Sequence, residues 1–322
     1  MKKLFAILCA LALTACGSSS DTGTTEATGN GDSAAGDRPT VALIMKSLAN
    51  EFFVTMADGA RQHQSENEGA YNLIVNGIKN EVDLAQQVAL IDQMIASGVD
   101  AIVVAPADSK AVVPALARAA AAGIVVVNID NQLDGDILAE YELQIPFVGP
   151  DNFAGAEEVG NYLAATMQEG QSVAILEGVP TTNNSQRRTA GFLKAMNDAG
   201  INVVAQQSAQ WDQTLAVTVT SGILVQHPEL DAILAANDNM ALGAVAAITQ
   251  SGREEAIKVV GFDNISAVQG LIKEGKILAT ADQHADLLAV YGVEYALEAL
   301  SSGEIQGNKS TPVDLVTIDT LD

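Results

Sequence analysis

The sequence predicts an α/β protein in which two parallel β-sheets carry helices on both faces. Three observations support this class. The chain has 322 residues, which suits two domains of roughly 150 residues each. Short, continuous runs of apolar and β-branched residues are typical of strands that are buried on both faces of a parallel sheet. Stretches with apolar residues at every third or fourth position separate these runs, as alternating strands and helices require.

The first half of the chain shows three such strands and one well-marked helix. The apolar runs lie at residues 40–45, 101–105 and 124–129. Between the first two runs, apolar residues recur with helical spacing from Val82 to Ile95. Gly98 then ends this helix, because glycine readily adopts the left-handed conformation that closes helices.

The second half of the chain repeats the same alternation. Predicted strands occupy residues 172–176, 202–205, 231–235, 257–261 and 277–281. Predicted helices occupy residues 153–169, 186–199, 213–226 and 240–251.

The amino-terminal residues predict export. Lys2 and Lys3 precede an apolar run at residues 4–13 that is too short for a permanent membrane span, and small residues follow before Cys16. Residues 1–15 are therefore interpreted as a signal peptide, and Leu-Thr-Ala-Cys resembles a bacterial lipobox in which Cys16 is lipidated. An ordinary cleaved signal with a chance cysteine is the alternative. Residues 16–38 are mostly small and polar, so they predict a flexible tether between a lipid anchor and a soluble domain in the periplasm or on the outer cell surface.

The charge and the cysteine content exclude several function classes. Sixteen Lys and Arg stand against 40 Asp and Glu, a net charge of −24, which disfavours binding to nucleic acid or directly to anionic lipid. After removal of a signal that contains Cys9, Cys16 is the one cysteine left, so no disulfide is predicted. The three histidines are scattered. The sequence shows no Cys–His pair, Walker-type glycine loop or metal-ligand cluster, so no cofactor, metal or catalytic centre is predicted.

Polar and aromatic residues follow the predicted strands directly. Ligands of parallel sheets bind beyond the carboxyl ends of the strands, so these residues are candidates for a binding site. Carboxylates, amides and guanidinium groups form hydrogen bonds with neighbouring hydroxyls, and flat rings can pack on the apolar faces of a sugar. The strand-end residues are Lys46, Asn50, Phe52, Phe53, Asp130, Asn131, Asn183, Asn184, Arg187, Arg188, Trp211, Asp212, Asn237, Asp238, Asn239, Phe262, Asp263, Asn264, Asp282 and Gln283.

Six of these stretches, taken together and in order, resemble a known family. They are residues 46–53, 128–131, 184–192, 235–243, 260–263 and 279–283. The chain resembles the periplasmic sugar-binding proteins of ABC transporters in the ribose-binding class over nearly all of its mature length. The resemblance implies the type I periplasmic binding protein fold, in which two lobes joined by a three-segment hinge close on a sugar. Lobe 1 would comprise residues 39–149 and 284–313, and lobe 2 residues 150–283 and 314–322.

The resemblance also implies roles for individual residues. Phe52 would stack on the sugar ring, and Trp211 would form a stacking wall on lobe 2. Asp130 would bind two adjacent hydroxyls, and Arg188 would donate hydrogen bonds as a fork. The full implied set of ligand-binding residues is Lys46, Asn50, Phe52, Phe53, Asp130, Asn131, Arg188, Trp211, Asn237, Asp263 and Gln283.

Two positions depart from the pattern of the ribose binders. These have an arginine directly after the aspartate that matches Asp130, where this chain has Asn131. They also have a small hydroxyl residue where this chain has Lys46. The ligand therefore stays open among a pentose, a hexose and an acyclic polyol.

Other interpretations of the same residues are open as well. Phe52 and Phe53 could begin the core face of a helix, Asp130 could cap the next segment, and Trp211 could be a core residue. The favoured function is a monomeric, non-enzymatic solute-binding protein that delivers a sugar or polyol to an ABC permease. A sensor subunit that docks on a chemoreceptor or histidine kinase is the alternative. A carbohydrate-active enzyme that uses Asp130 and Asp263 is a third class.

Overall fold

Two six-stranded sheets form the framework of residues 38–321, which are the residues that the structure, a computed structural model, describes. The predicted signal peptide, Cys16 and nearly all of the predicted tether lie outside these residues. Among the described residues, no helix combines the length and the apolar character needed to cross a membrane.

The first sheet, with its helices, is called lobe 1 below. Its strand order is β11-β5-β4-β3-β1-β2, and every neighbouring pair is parallel. The strands are β1 (Thr40–Ser47), β2 (Asn72–Ile78), β3 (Ala101–Val104), β4 (Val125–Ile129), β5 (Phe147–Pro150) and β11 (Lys309–Thr311). Its helices are α1 (Glu51–Glu66), α2 (Leu84–Ser97), α3 (Val113–Ala121), α4 (Gly135–Glu140) and α10 (Ala285–Ser302).

The second sheet, with its helices, is called lobe 2. Its order is β12-β10-β9-β8-β6-β7, and all pairs are parallel except β12, which runs antiparallel to β10. The strands are β6 (Ser172–Glu177), β7 (Asn202–Ser208), β8 (Ala232–Ala235), β9 (Lys258–Val260), β10 (Ala279–Asp282) and β12 (Asp314–Thr317). Its helices are α5 (Asn152–Ala164), α6 (Asn183–Asp198), α7 (Gln213–Gln226), α8 (Asp238–Ser251) and α9 (Ser266–Lys273).

The chain crosses between the two sheets three times. It leaves the first sheet after β5, returns to it between β10 and α10, and leaves it again between β11 and β12. Helix α10 packs on β1, β3 and β4 although it follows lobe 2 in sequence. The predicted α/β class with two parallel-sheet lobes is therefore confirmed.

The interior strands β1, β3 and β4 of lobe 1 bury both of their faces. Along β1, Val41, Leu43 and Met45 face one apolar cluster, while Ala42 and Ile44 face another. Helices α1 and α10 cover the first face, and α2 and α3 cover the second. This two-sided burial explains why the strand reads as a continuous apolar run rather than an alternating one.

Four strands were not predicted from the sequence because they lack continuous runs of apolar residues. Strand β2 lies at the edge of its sheet and is only partly buried, and β5, β11 and β12 are three or four residues long beside the crossings.

The expectation that Val82 belongs to the apolar face of a helix is wrong. Helix α2 begins at Leu84 with Asp83 as its N-cap, and Val82 is 49% exposed in the preceding loop.

Candidate functional site

The carboxyl ends of the strands from both lobes face one another across a cleft. A small cavity of about 10 Å³ lies there, about the room that one water molecule needs, so the two lobes are nearly closed on each other in this structure. Nine of the eleven predicted residues line it: Lys46, Asn50, Phe52, Phe53, Asp130, Arg188, Trp211, Asn237 and Asp263. Glu81 and Asn184 complete the wall.

The loop from β1 to α1 supplies the aromatic part of the lobe 1 wall. Asn50 is the N-cap of α1, and its Oδ1 accepts a hydrogen bond from the backbone N of Phe52 at 3.1 Å. This cap fixes the first helical turn, which carries both phenylalanines. The rings of Phe52 and Phe53 meet edge to face at 5.1 Å and are each 2% exposed. They therefore form a rigid apolar wall that also belongs to the core.

Lys46 and Asp130 form a buried ion pair on the same side. Lys46 Nζ lies 3.0 Å from Asp130 Oδ2, and both side chains are 3% exposed. The contact lacks hydrogen-bond directionality, so Asp130 Oδ2 has no hydrogen-bond partner among the described residues. Asp130 has a φ of 62°, an uncommon backbone conformation for a residue with a side chain. Such strain persists only where surrounding contacts enforce it, and it clusters at functional sites.

Glu81 is a carboxylate that the sequence reasoning missed. It follows β2, and its side chain is 8% exposed. Its Oε1 accepts a hydrogen bond from Asn50 Nδ2 at 3.2 Å, and its Oε2 lies 4.0 Å from Lys46 Nζ. No strand was predicted before it, so the strand-end rule did not reach it.

Arg188 anchors the lobe 2 side of the cavity. Its Nε donates to Asn152 Oδ1 at 2.7 Å, and its Nη1 donates to the backbone O of Ala236 at 2.9 Å and to Asp263 Oδ1 at 3.3 Å. The guanidinium carbon lies 3.7 Å from the ring centre of Phe262, a stacking arrangement that suits arginine. The remaining nitrogen, Nη2, is buried without a partner among the described residues.

Trp211 closes the cavity from the loop after β7. Gln210 and Trp211 have φ values of 53° and 65°, so the chain turns sharply there and places the indole, 3% exposed, against the cavity. A Cβ atom at Gly178 would lie only 2.0 Å from Cε2 and Cζ2 of Trp211. The ring thus packs flat on the Gly178 backbone, a position that glycine alone permits.

Burial dominates the ionisation of the acidic residues. Burial raises the pKa of Glu81 from its ordinary 4.5 to about 7, although Lys46 and Asn50 act in the opposite direction. Burial also raises the pKa of Asp263 well above its usual range, against the effect of Arg188. Burial lowers the pKa of Arg188, while neighbouring carboxylates oppose this change. The cavity therefore places three carboxyl groups against two cationic side chains and is rich in hydrogen-bond acceptors.

Asn131 lies behind the cavity rather than in its wall. Its Nδ2 donates to the backbone O of Pro106 at 3.0 Å, and its Oδ1 accepts from Ser109 Oγ at 3.3 Å and from the backbone N of Asn184 at 3.2 Å. Ser109 Oγ also accepts from the backbone N of Asn183 at 2.9 Å. These residues join lobe 1 to the start of α6 in lobe 2.

Gln283 also lies outside the cavity wall. Its Nε2 donates to Asp263 Oδ1 at 2.7 Å, next to the crossing into α10. It therefore positions Asp263, while Asn237 lines the cavity and caps α8 by accepting from the backbone N of Met240 at 2.9 Å.

Metal ligands are not assembled at this site or elsewhere within residues 38–321. No group of three or more His, Cys, Asp or Glu side chains in that range is placed to hold a metal ion.

The chain resembles proteins of known function along most of its length. Residues 41–305 match the family model described as a periplasmic binding protein domain. A D-ribose/D-allose-binding protein of Pseudomonas aeruginosa is 51% identical over 285 residues, 87% of this chain and 89% of the relative. A ribose import binding protein of Salmonella typhimurium is 33% identical over 98% of this chain and 97% of the relative. The crystal structure of an ABC transporter periplasmic solute binding protein from Actinobacillus succinogenes with bound D-allose is similar with a TM-score of 0.83 and 37% identity, covering 88% of this chain and 98% of that one.

Proposed function

The chain belongs to the periplasmic binding protein domain family, and from this premise we propose that it captures a monosaccharide or related polyol between its two lobes. D-Ribose and D-allose are the first candidates, because the relatives named above bind them or carry their names. Capture proceeds by hinge closure, in which the second lobe adds its contacts to a ligand already held by the first.

Buried polar atoms without partners carry this proposal. Asp130 Oδ2, Arg188 Nη2 and Trp211 Nε1 are buried and have no hydrogen-bond partner among the described residues, and all three side chains line the cavity. A buried polar group left unpaired costs roughly 1–3 kcal/mol. Asp130 Oδ2 has the Lys46 ammonium beside it but no hydrogen bond. A ligand with several hydroxyls can donate to this oxygen and can also accept from Arg188 and Trp211.

The aromatic residues explain why the ligand is a ring or chain of carbons and not a simple ion. Phe52, Phe53 and Trp211 offer apolar surface beside the polar groups. A sugar presents C–H faces between its hydroxyls, so it can satisfy both parts of the wall. Asn131 and Gln283 then act indirectly, through lobe contact and through Asp263 respectively.

Delivery to an ABC permease is the second part of the proposal. The predicted signal and Cys16 support a periplasmic or surface lipoprotein that is held at the membrane by its lipid and handles solute outside the cytoplasm, and we propose that it acts as a monomer. The named relatives are binding proteins, which favours delivery without catalysis.

Titration of purified protein with D-ribose, D-allose and myo-inositol tests the capture step directly. Asp130→Asn keeps the shape of the side chain but removes its charge, and we expect it to weaken binding by about 10- to 100-fold, as for other hydrogen bonds to charged groups. The matched control is Asp198→Asn, an exposed carboxylate paired with Lys194 far from the cleft. If no sugar or polyol binds, or if Asp130→Asn binds like the control, the proposal is wrong.

A further inference from the structure

The cavity has a hinge side and an open side, and the order of the strands defines them. The strands next to the crossings, β5 and β11 in lobe 1 and β10 and β12 in lobe 2, lie at one end of each sheet. At the other end lie β2 in lobe 1 and β7 in lobe 2. Glu81 follows β2 and Trp211 follows β7, so these two residues form the open side of the cavity.

A groove of about 520 Å³ begins on this open side. It shares three wall residues with the cavity, namely Asn50, Glu81 and Trp211. The rest of its lining comes from both lobes and includes Lys79 and Asp212. A substituent that projects from the sugar toward the open side therefore meets Glu81 first and has free space beyond it.

Glu81 retains hydrogen-bonding capacity that the protein does not use. Its Oε1 is engaged by Asn50, but its Oε2 lies 4.0 Å from Lys46 Nζ, which is beyond hydrogen-bond distance. Lys46 Nζ in turn lies 3.0 Å from Asp130. A hydroxyl placed next to both Lys46 and Glu81 can accept a hydrogen bond from Nζ and donate one to Oε2, so each of the two side chains gains a hydrogen bond.

We propose that Glu81 binds the exocyclic hydroxyl of an aldohexose, so that the protein prefers hexoses to pentoses. This inference rests on the proposed sugar-binding function and adds the residue that discriminates between sugar sizes. Asp130 and Arg188 bind hydroxyls of the ring, which pentoses and hexoses share. A pentose leaves Glu81 without its hydroxyl, and a buried carboxylate that loses a partner costs more than the missing contact alone.

The neighbours of Glu81 show which way a donor from the ligand would act. Burial, the largest effect, disfavours the charged carboxylate, as do Asp130 and Asp212, while Lys46 and Asn50 favour it. A hydroxyl that donates to Glu81 would act in the same direction as Lys46 and Asn50.

The test removes one hydroxyl from the ligand and one charge from the protein. D-Allose, 6-deoxy-D-allose and D-ribose are titrated into the full-length protein and into Glu81→Gln by calorimetry. In the wild-type protein, we expect D-allose to bind at least about tenfold more tightly than 6-deoxy-D-allose. In Glu81→Gln, we expect this ratio to fall to within about threefold, while D-ribose binds at least as tightly as it does to the wild-type protein, because the amide leaves no buried charge without a partner.

Asn239→Ala provides the matched control, because Asn239 lines the groove but not the cavity. This variant should keep the wild-type ratio between the two allose ligands. Equal weakening of all three sugars by Glu81→Gln would instead make Glu81 a residue that positions Lys46, and the inference would be overturned. Equal binding of D-allose and 6-deoxy-D-allose by the wild-type protein would overturn it without any variant. In both cases sugar binding itself would stand, whereas failure of every sugar to bind would refute the proposed function.

Discussion

Replacing Gly178 by alanine should disturb the candidate site through one contact. The Cβ atom of an alanine at this position would lie 2.0 Å from Cε2 and Cζ2 of Trp211 and 2.3 Å from Cη2. These atoms belong to the indole ring that lines the cavity. Because the Gly178 backbone supports one face of the ring, the indole must move away from it by more than about an ångström, which changes the wall of the cavity.

The size of the effect follows from this overlap. Overpacking of a well-packed interior costs about 1–3 kcal/mol. With about 2–4 °C per kcal/mol for chains of a few hundred residues, we expect the melting temperature of the ligand-free protein to fall by about 2–12 °C. The displaced ring no longer has the position that completes the cavity wall, so we also expect the dissociation constant for a bound sugar to rise by about tenfold or more.

Three measurements on the same variant separate these effects. Thermal unfolding reports the stability, calorimetry reports the affinity, and the emission of Trp211, the sole tryptophan of the chain, reports the position of the ring. Gly222→Ala is the matched control, because a Cβ atom in that helical position meets nothing within 4 Å. Since alanine favours helix over glycine by roughly 0.5–1 kcal/mol, the control should be slightly stabilised and should bind normally.

Unchanged emission and unchanged affinity in Gly178→Ala would refute the reasoning. Such a result would mean that the indole does not rest on the Gly178 backbone, or that it is not part of the binding wall. If the variant lost stability but kept its affinity for the sugar, the packing of Trp211 on Gly178 would be supported, but Trp211 would not be part of the binding wall.

Three further predictions concern charge, lobe contact and support of the site. Burial raises the pKa of Glu81 from 4.5 to about 7 in the folded protein. Between these two pH values the folded protein keeps a proton on Glu81 that the unfolded chain releases, so the free energy of unfolding declines as the pH rises from 4.5 to about 7. In urea titrations, Glu81→Gln should therefore match the wild-type protein near about pH 4 and exceed its stability by up to about 3 kcal/mol near about pH 8; a constant difference at both pH values would contradict this. Ser109→Ala removes the hydrogen-bond acceptor of the Asn183 backbone N, a contact between the two lobes. Calorimetry should therefore show that the affinity for every sugar falls by the same factor, about three- to tenfold. A factor that differs from sugar to sugar would show that Ser109 does more than hold the lobes together. Asn152→Ala leaves the buried Nε of Arg188 unpaired and should lower stability by about 1–3 kcal/mol in denaturant unfolding, whereas a neutral result would show that water or another group replaces Asn152.

The fold was predictable because most of its interior strands are buried on both faces. Continuous apolar runs marked the interior strands such as β1 and β4, and the resemblance to the ribose-binding class is confirmed by the family and its relatives. Edge strand β2 is partly exposed and carries polar residues, so it produced no such run. Glu81 was missed for the same reason, since it was sought only after recognised strands.

The direction of individual side chains was harder to predict. Asp130 and Asn131 are adjacent in sequence, yet the φ of 62° at Asp130 turns the chain so that only Asp130 lines the cavity. Asp151 and Asn152 are neighbours with different roles as well. Asp151 caps α5, whereas Asn152 accepts a hydrogen bond from Arg188, which lies 36 positions away in the sequence. Contacts of this kind depend on how elements pack, and no local pattern encodes them.

The threefold crossing of the chain has a consequence for how the molecule forms. Strand β11 completes the sheet of lobe 1 only after nearly all of lobe 2 has been made, and β12 completes lobe 2 only a few residues later. Helix α10, which covers β1, β3 and β4, is also encoded in the last part of the chain. A nascent chain that stops short of α10 would thus expose an apolar sheet face in lobe 1. Neither lobe can fold completely until α10, β11 and β12 have all been made, and the many contacts between distant parts of the sequence make folding slow.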